Sequence, residues 1–192
     1  MKSKIKTAIA ASTLMFSLMP NVSIAQETKT KNKTTLSIET DPVAFAFKGY
    51  SFHFRIKPKN SKHFLLGAGT YALSTNSRDK TWKVRIKSAY SLYSEYYFKE
   101  ANKKWFVGLQ AGVQNYKIST DNVSNITSEY RNFLIMPSVG FNWSPFKFPL
   151  YIKPWLGLGY TTKVAGTNTI DNKVYNFSHT QLHLAFHVGY TF

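Results

Sequence analysis

The last twelve residues, Gln181 to Phe192, alternate without a break between two kinds of side chain. Leu182, Leu184, Phe186, Val188, Tyr190 and Phe192 share one parity; Gln181, His183, Ala185, His187, Gly189 and Thr191 share the other. That rhythm belongs to a β-strand, whose successive side chains point to opposite faces. It recurs upstream, most cleanly where Tyr50, Phe52, Phe54 and Ile56 oppose Ser51, His53, Arg55 and Lys57. Beyond the first 25 positions, no apolar run approaches the roughly 20 residues of a membrane-spanning helix. If strands of this kind enter a membrane, the sheet must close on itself, because an open edge leaves backbone groups unsatisfied in lipid.

The beginning of the chain reads as an export address. Lys2, Lys4 and Lys6 precede an apolar run from Ala8 to Met19, and Ser23-Ile24-Ala25 follows as a small-x-small cleavage site. This predicts a secretory signal peptide over residues 1–25, with a mature start near Gln26. No cysteine follows the apolar run, which excludes a lipid-anchored lipoprotein. The chain has no cysteine at all, so disulfides and thiolate-bound metals are excluded too. Removing residues 1–25 takes away three lysines and no acid, which lowers the formal charge from +16 to +13. Residues 26–33 are polar and aperiodic and are expected to form a flexible leader. The remainder, 34–192, is expected to be a single domain.

Eight alternating segments fill that domain. They are Leu36 to Phe47, with an irregularity expected at Asp41-Pro42, then Tyr50–Lys57, Phe64–Ser74, Trp82–Phe98, Trp105–Ile118, Arg131–Trp143, Leu150–Val164 and Val174–Phe192. Turn-rich segments separate them, and the predicted fold is all-β: an eight-stranded antiparallel up-and-down barrel (a meander). Lys48-Gly49 reads as a tight turn. The third strand is expected to turn Leu65, Gly67, Gly69 and Tyr71 inward.

Alternation alone does not say which face is inside. A soluble calyx puts apolar residues within, and a transmembrane barrel reverses this. The interior of an eight-stranded barrel is just wide enough for side chains to fill it. Here the apolar rows are uniformly bulky, as in Phe133, Ile135, Val139, Phe141 and Trp143, whereas the polar rows are dotted with glycine, as in Gly108, Gln110, Gly112 and Gln114. Glycine suits a crowded lumen and bulk suits a lipid-facing surface. Trp82, Trp105, Trp143, Tyr160 and Tyr190 lie near strand ends, where aromatic girdles meet the membrane interface.

Charges on the inward parity then become the candidate sites. A first hairpin turning about Lys48 would set Asp41 opposite Arg55 and Glu39 opposite Lys57, with Glu95, Lys153 and His187 in the same half. These residues are expected to pair as a salt-bridge core, because unpaired charge in such an interior is costly. That core plugs the lumen, or alternatively lines a gated ion path. Toward the other end, His53, Lys83, Arg85, Lys87, Lys163 and His183 are expected to form a basic mouth that attracts anions. His183 and His187 are too far apart along a strand to share a metal. Ser178 and His179 adjoin in sequence and so point to opposite faces, which makes them a poor nucleophile–base pair; Ser77 and Asp79 are the other hydroxyl and acid considered. No cofactor is implied, and there is no recognition helix for nucleic acid.

With its export signal, eight alternating segments and terminal Gly189-Tyr-Thr-Phe192, the chain resembles the small outer-membrane β-barrels of Gram-negative bacteria, the OmpA/OmpX type. The resemblance covers the whole mature chain. It implies an outer-membrane location and contact with outer-membrane lipid or lipopolysaccharide; the even strand number then puts both termini in the periplasm, and a monomer is expected. It also implies that Tyr190 and Phe192 act as a signal to the barrel-assembly machinery. The turns at Pro58–Lys62, Lys99–Lys103 and Ser144–Pro149 would then be periplasmic, and the short connections at the other end would leave no protruding sheet. Some barrels of this kind modify lipid A, but their His-x-Ser pattern is absent here. A structural, lipid-binding envelope protein is the expected role, with a small porin-like channel or transporter for anionic or apolar solutes as the alternative.

Overall fold

The computed structural model describes residues 33–76, 81–120 and 123–192. Eight strands close a hydrogen-bonded ring: β1 (Thr35–Thr40), β2 (Tyr50–Lys57), β3 (Phe64–Asn76), β4 (Trp82–Tyr97), β5 (Lys104–Thr120), β6 (Val123–Asn142), β7 (Leu150–Gly166) and β10 (Thr180–Thr191). Every neighbouring pair is antiparallel and sequential, and β10 returns to pair with β1. A two-stranded ribbon, β8 (Thr169–Ile170) with β9 (Lys173–Val174), sits in the connection between β7 and β10. The predicted export signal and all but the last residue of the predicted leader lie outside the described residues.

The alternation sorts into an inverted barrel. Outside, Leu184 is 74% exposed, Leu92 68% and Leu182 66%, whereas inside Lys153 is fully buried and Arg55 and Glu39 are each 2% exposed. Trp105, Trp143, Tyr160 and Tyr190 stand on the exterior as expected. The third strand also keeps its expected facing, with Leu65 and Tyr71 buried and Leu66 exposed. The end at which β1 begins and β10 finishes is called the near end here, and the opposite one the far end.

Several boundaries differ from the sequence reading. The first strand stops at Thr40. Asp41 then caps a short helix, α1 (Pro42–Ala46), accepting from the Val43 amide at 2.9 Å with Pro42 in the first turn. An Asp cap followed by Pro is a strong helix start, because the ring's missing N–H has no partner to lose there. Lys48-Gly49 is therefore the exit of a helical turn and not a hairpin. The turn-rich segment expected between Ile118 and Arg131 is partly strand, since β5 runs to Thr120 and β6 begins at Val123. The closing strand begins only at Thr180; residues 175–179 are not strand.

The far end also departs from expectation. A membrane-crossing β-strand needs about 9–11 residues, but β4, β5 and β6 have 16, 17 and 20. Their excess lies at the far end, where it forms the protruding sheet that the short loops argued against. A bulge at Lys87, between Ile86 and Ser88, adds one residue to β4. Because side chains alternate with period two, one extra residue reverses the facing of everything beyond it. Trp82, Val84 and Ile86 accordingly turn inward, where Ala89, Tyr71, Tyr116, Ile118, Tyr130 and Ile170 complete an apolar core. Trp82 thus belongs to this core, against Tyr175 at 5.5 Å, and not to the girdle.

Candidate functional site in the barrel lumen

The near half of the lumen is built from charges that five strands bring to one level. Glu39 on β1 pairs with Arg55 on β2 (Nε to Oε2, 3.0 Å) and with Lys153 on β7 (Nζ to Oε1, 2.7 Å). Glu95 on β4 pairs with the same two cations, at 3.1 Å to Arg55 Nη1 and 3.2 Å to Lys153 Nζ. Each carboxylate therefore touches both cations and each cation both carboxylates, a closed ring with no net charge. Tyrosines add a further donor to each carboxylate: Tyr151 donates to Glu39 at 2.7 Å and Tyr97 to Glu95 at 3.0 Å. Arg55 lies over the Tyr93 ring and Lys153 near the Phe106 ring.

His187 on β10 extends the ring. Its Nδ1 is 2.9 Å from Glu39 Oε2, and its Nε2 accepts from the Trp155 indole at 3.2 Å. An indole nitrogen only donates, so Nε2 must be an acceptor and Nδ1 carries the proton to Glu39. Glu39 and Trp155 thereby hold one neutral tautomer. His53 stacks on His187 with ring centroids 4.5 Å apart, and is itself held by Ser51 at 2.6 Å and Tyr93 at 2.8 Å. Ser51 and His53 are spaced i, i+2, so they share a face, and they are the serine–histidine contact that sequence reasoning overlooked. Both are enclosed within the packed lumen, at 6% and 4% exposure. Beside Arg55, Tyr93, Glu95 and Gln110 a cavity of about 10 Å³ remains, room for roughly one water.

Toward the middle the lumen becomes uncharged. Gln110 donates to Ser91 at 2.9 Å, Gln114 to Tyr71 at 2.8 Å, Tyr116 to Gln114 at 3.1 Å, and Gln181 to Tyr116 at 3.1 Å. His183 joins this network through Gln181 at 3.1 Å. The apolar core at the far end closes the stack. Charge, amide and aromatic tiers thus follow one another along the axis.

The sequence-derived candidates divide accordingly. Glu39, Arg55, Glu95, Lys153 and His187 come together. Asp41 does not, since it caps α1, and Lys57 stands half-buried opposite Thr35 rather than Glu39. In the observed register Glu39 faces His53 and Ser37 faces Arg55. The helical turn takes up residues that a tight hairpin would have paired, which moves the register by four positions. The expected basic mouth is not assembled inside. Lys83, Arg85 and Lys87 lie on the exterior, opposite in facing to the buried Val84 and Ile86. Lys163 is exposed at the rim and donates to Asn168 at 2.7 Å, while His53 and His183 belong to the interior tiers. Ser178 bonds the Thr180 backbone and His179 the Thr161 carbonyl, so the two do not serve each other. Ser77 and Asp79 lie outside the described residues. Tyr190 and Phe192 stand exposed at the near end with ring centroids 4.9 Å apart. Tyr93, Tyr97, Tyr151 and Trp155, which complete the charged tier, were missed as partners although their inward parity was available.

No family profile matches the sequence, and no curated protein matches it. Among solved structures, the chain is similar to the N-terminal β-barrel domain of Pseudomonas aeruginosa OprF, at 12% identity and a TM-score of 0.41, covering 84% of this chain and 98% of that one. It is also similar to Neisserial surface protein A, at 10% identity and a TM-score of 0.41, covering 83% of this chain and 96% of the other.

Proposed function

We propose that this chain is an integral outer-membrane barrel with a closed lumen, serving the envelope as a structural, lipid-contacting protein and not as a channel or enzyme. The observation that carries the reading is the pairing of an oily exterior with a sealed, charge-balanced interior. Bulky apolar side chains that would be costly in water line the outside, while Lys153 and Glu39 are buried and mutually neutralised. The near end is assigned to the periplasm, which suits the export signal read at the start of the chain and the exposed Tyr190 and Phe192 as a docking signal for the assembly machinery. A monomer suffices, because the eight barrel strands close into one hydrogen-bonded ring.

Two measurements test this. Heat-modifiable gel migration of the protein in isolated outer envelopes is expected; its absence, or recovery in a soluble fraction, overturns the location. In planar bilayers the folded protein is expected to give no sustained open state. Stable conductance steps would establish the channel reading instead, and a changed acyl profile of lipid A in cells carrying the protein would establish an enzyme.

A further inference from the structure

On the exterior of β4, β5 and β6, at the far end, the inverted facing beyond the bulge gathers cations onto one patch. Arg85 is the direct cross-strand partner of Lys117, and Lys117 of Glu129. Like charges directly opposite each other are destabilising. The nearby carboxylate, Glu129, contacts Lys87 at 2.8 and 2.9 Å and makes no ion pair with either member of this pair. Arg131 is two positions further along β6 and is oriented by Asn115 at 2.7 Å. Of these four cations only Lys87 makes an ion pair among the described residues, with Glu129; neither Arg85 nor Lys117 has an ion-pair partner there.

An apolar groove across β2 to β6 lies directly below. Its floor is formed by small side chains, Ala68, Thr70 and Ala111, and its walls by Phe52, Tyr90, Leu92 and Phe133. The levels are continuous. Phe54, Ala68, Leu92 and Ala111 align across four strands, as do Phe52, Thr70, Tyr90 and Val113 one step higher. Lys117 lies four residues above Val113 and Arg131 two residues from Phe133, which at about 3.3 Å per residue places the charges some 7–13 Å from the groove.

We propose that this face is a specific site for a phosphorylated, multi-acylated lipid, the lipid A moiety of the outer leaflet. Its phosphates would sit between Arg85, Lys117 and Arg131, and one acyl chain would lie in the groove over Ala68 and Ala111. Charge complementarity selects the head: an anion bridging Arg85 and Lys117 removes their mutual repulsion through charge-assisted hydrogen bonds. The groove's position in the lipid-facing belt selects the tail. The identity of the lipid rests on the orientation proposed above, because only a far end that faces outward meets lipid A.

Native mass spectrometry of the full barrel in detergent tests the site, with bisphosphorylated lipid A, dephosphorylated lipid A and phosphatidylglycerol as separate probes. Bisphosphorylated lipid A is expected to form a retained adduct. Removing the phosphates, or introducing R85Q together with K117Q, should each weaken it about tenfold or more, and A111F should weaken it similarly by filling the groove. The control pair K59Q and K99Q, at the near end, should bind like the unaltered chain. Equal binding of dephosphorylated lipid A, or undiminished binding by the R85Q/K117Q chain, overturns the headgroup site. Phosphatidylglycerol binding as well as lipid A overturns the choice of lipid. Heat-modifiable migration of every variant reports the barrel separately, so loss of the site and loss of the fold are distinguishable.

Discussion

Lys153 is the residue on which the lumen is most dependent. It is fully buried and contacts both carboxylates, so Lys153→Met leaves Glu39 and Glu95 sharing Arg55 alone. Breaking a buried pair by removing one partner costs about 3–5 kcal/mol, because the remaining charge is uncompensated. A loss of that size in urea-monitored folding into lipid vesicles is expected. Adding Glu95→Gln restores charge balance, so the double variant should lose less than the sum of the two single losses; strict additivity would show that the ring is not a coupled unit. At this scale the sequence disclosed which residues face inward but not whom they touch. Glu39 and Arg55 were on the correct face for the wrong reason: the register moved by four positions, and an even shift preserves facing. Asp41 was lost from the site because its carboxylate found a nearer use on the Val43 amide.

Strand existence and facing were legible wherever alternation ran unbroken, as in β2, whose ends match the sequence reading at both residues. What hid the far end was a bulge, which inserts one residue and leaves no compositional mark. Lys83, Arg85 and Lys87 keep perfect alternation with Tyr93 and Glu95 when counted straight through, and the count fails only at the bulge. The absence of native cysteine makes this directly measurable. In vesicles, Arg85→Cys should react with a membrane-impermeant maleimide and Val84→Cys should not; the reverse pattern would restore the straight count. Glycine in β3 gives a second element-scale test. A side chain at Gly69 would run into the His53 ring and the Tyr93 hydroxyl, two groups already fixed by a hydrogen bond. Gly69→Val is expected to cost roughly 1–3 kcal/mol by overpacking, read as a lower urea midpoint.

For the molecule as a whole, the two regions of the barrel obey opposite solvents. Between the near end and the bulge the exterior is apolar and the interior polar; beyond the bulge the interior is apolar and the exterior charged. Under the membrane location proposed above, the boundary matches strand length, since a span of about 9–11 residues exhausts a bilayer and leaves the rest of β4, β5 and β6 to meet water. Overall architecture was therefore readable from parity and strand count, whereas the position of this boundary required the register. It also fixes where a charge is costly. Leu184 pairs with Leu156, six positions from the Leu150–Tyr190 pair and four from the Tyr160–Thr180 pair, which puts it close to the middle of the span. Leu184→Lys should cost about 2–4 kcal/mol in vesicle folding, whereas Tyr190→Lys, at the near interface, should cost about 0–1 kcal/mol. Equal costs at the two positions would mean that β10 does not run across the bilayer. A cost at Tyr190 exceeding that at Leu184 would move the hydrocarbon slab toward the near end, and with it the level at which Arg85 and Lys117 stand above the acyl chains.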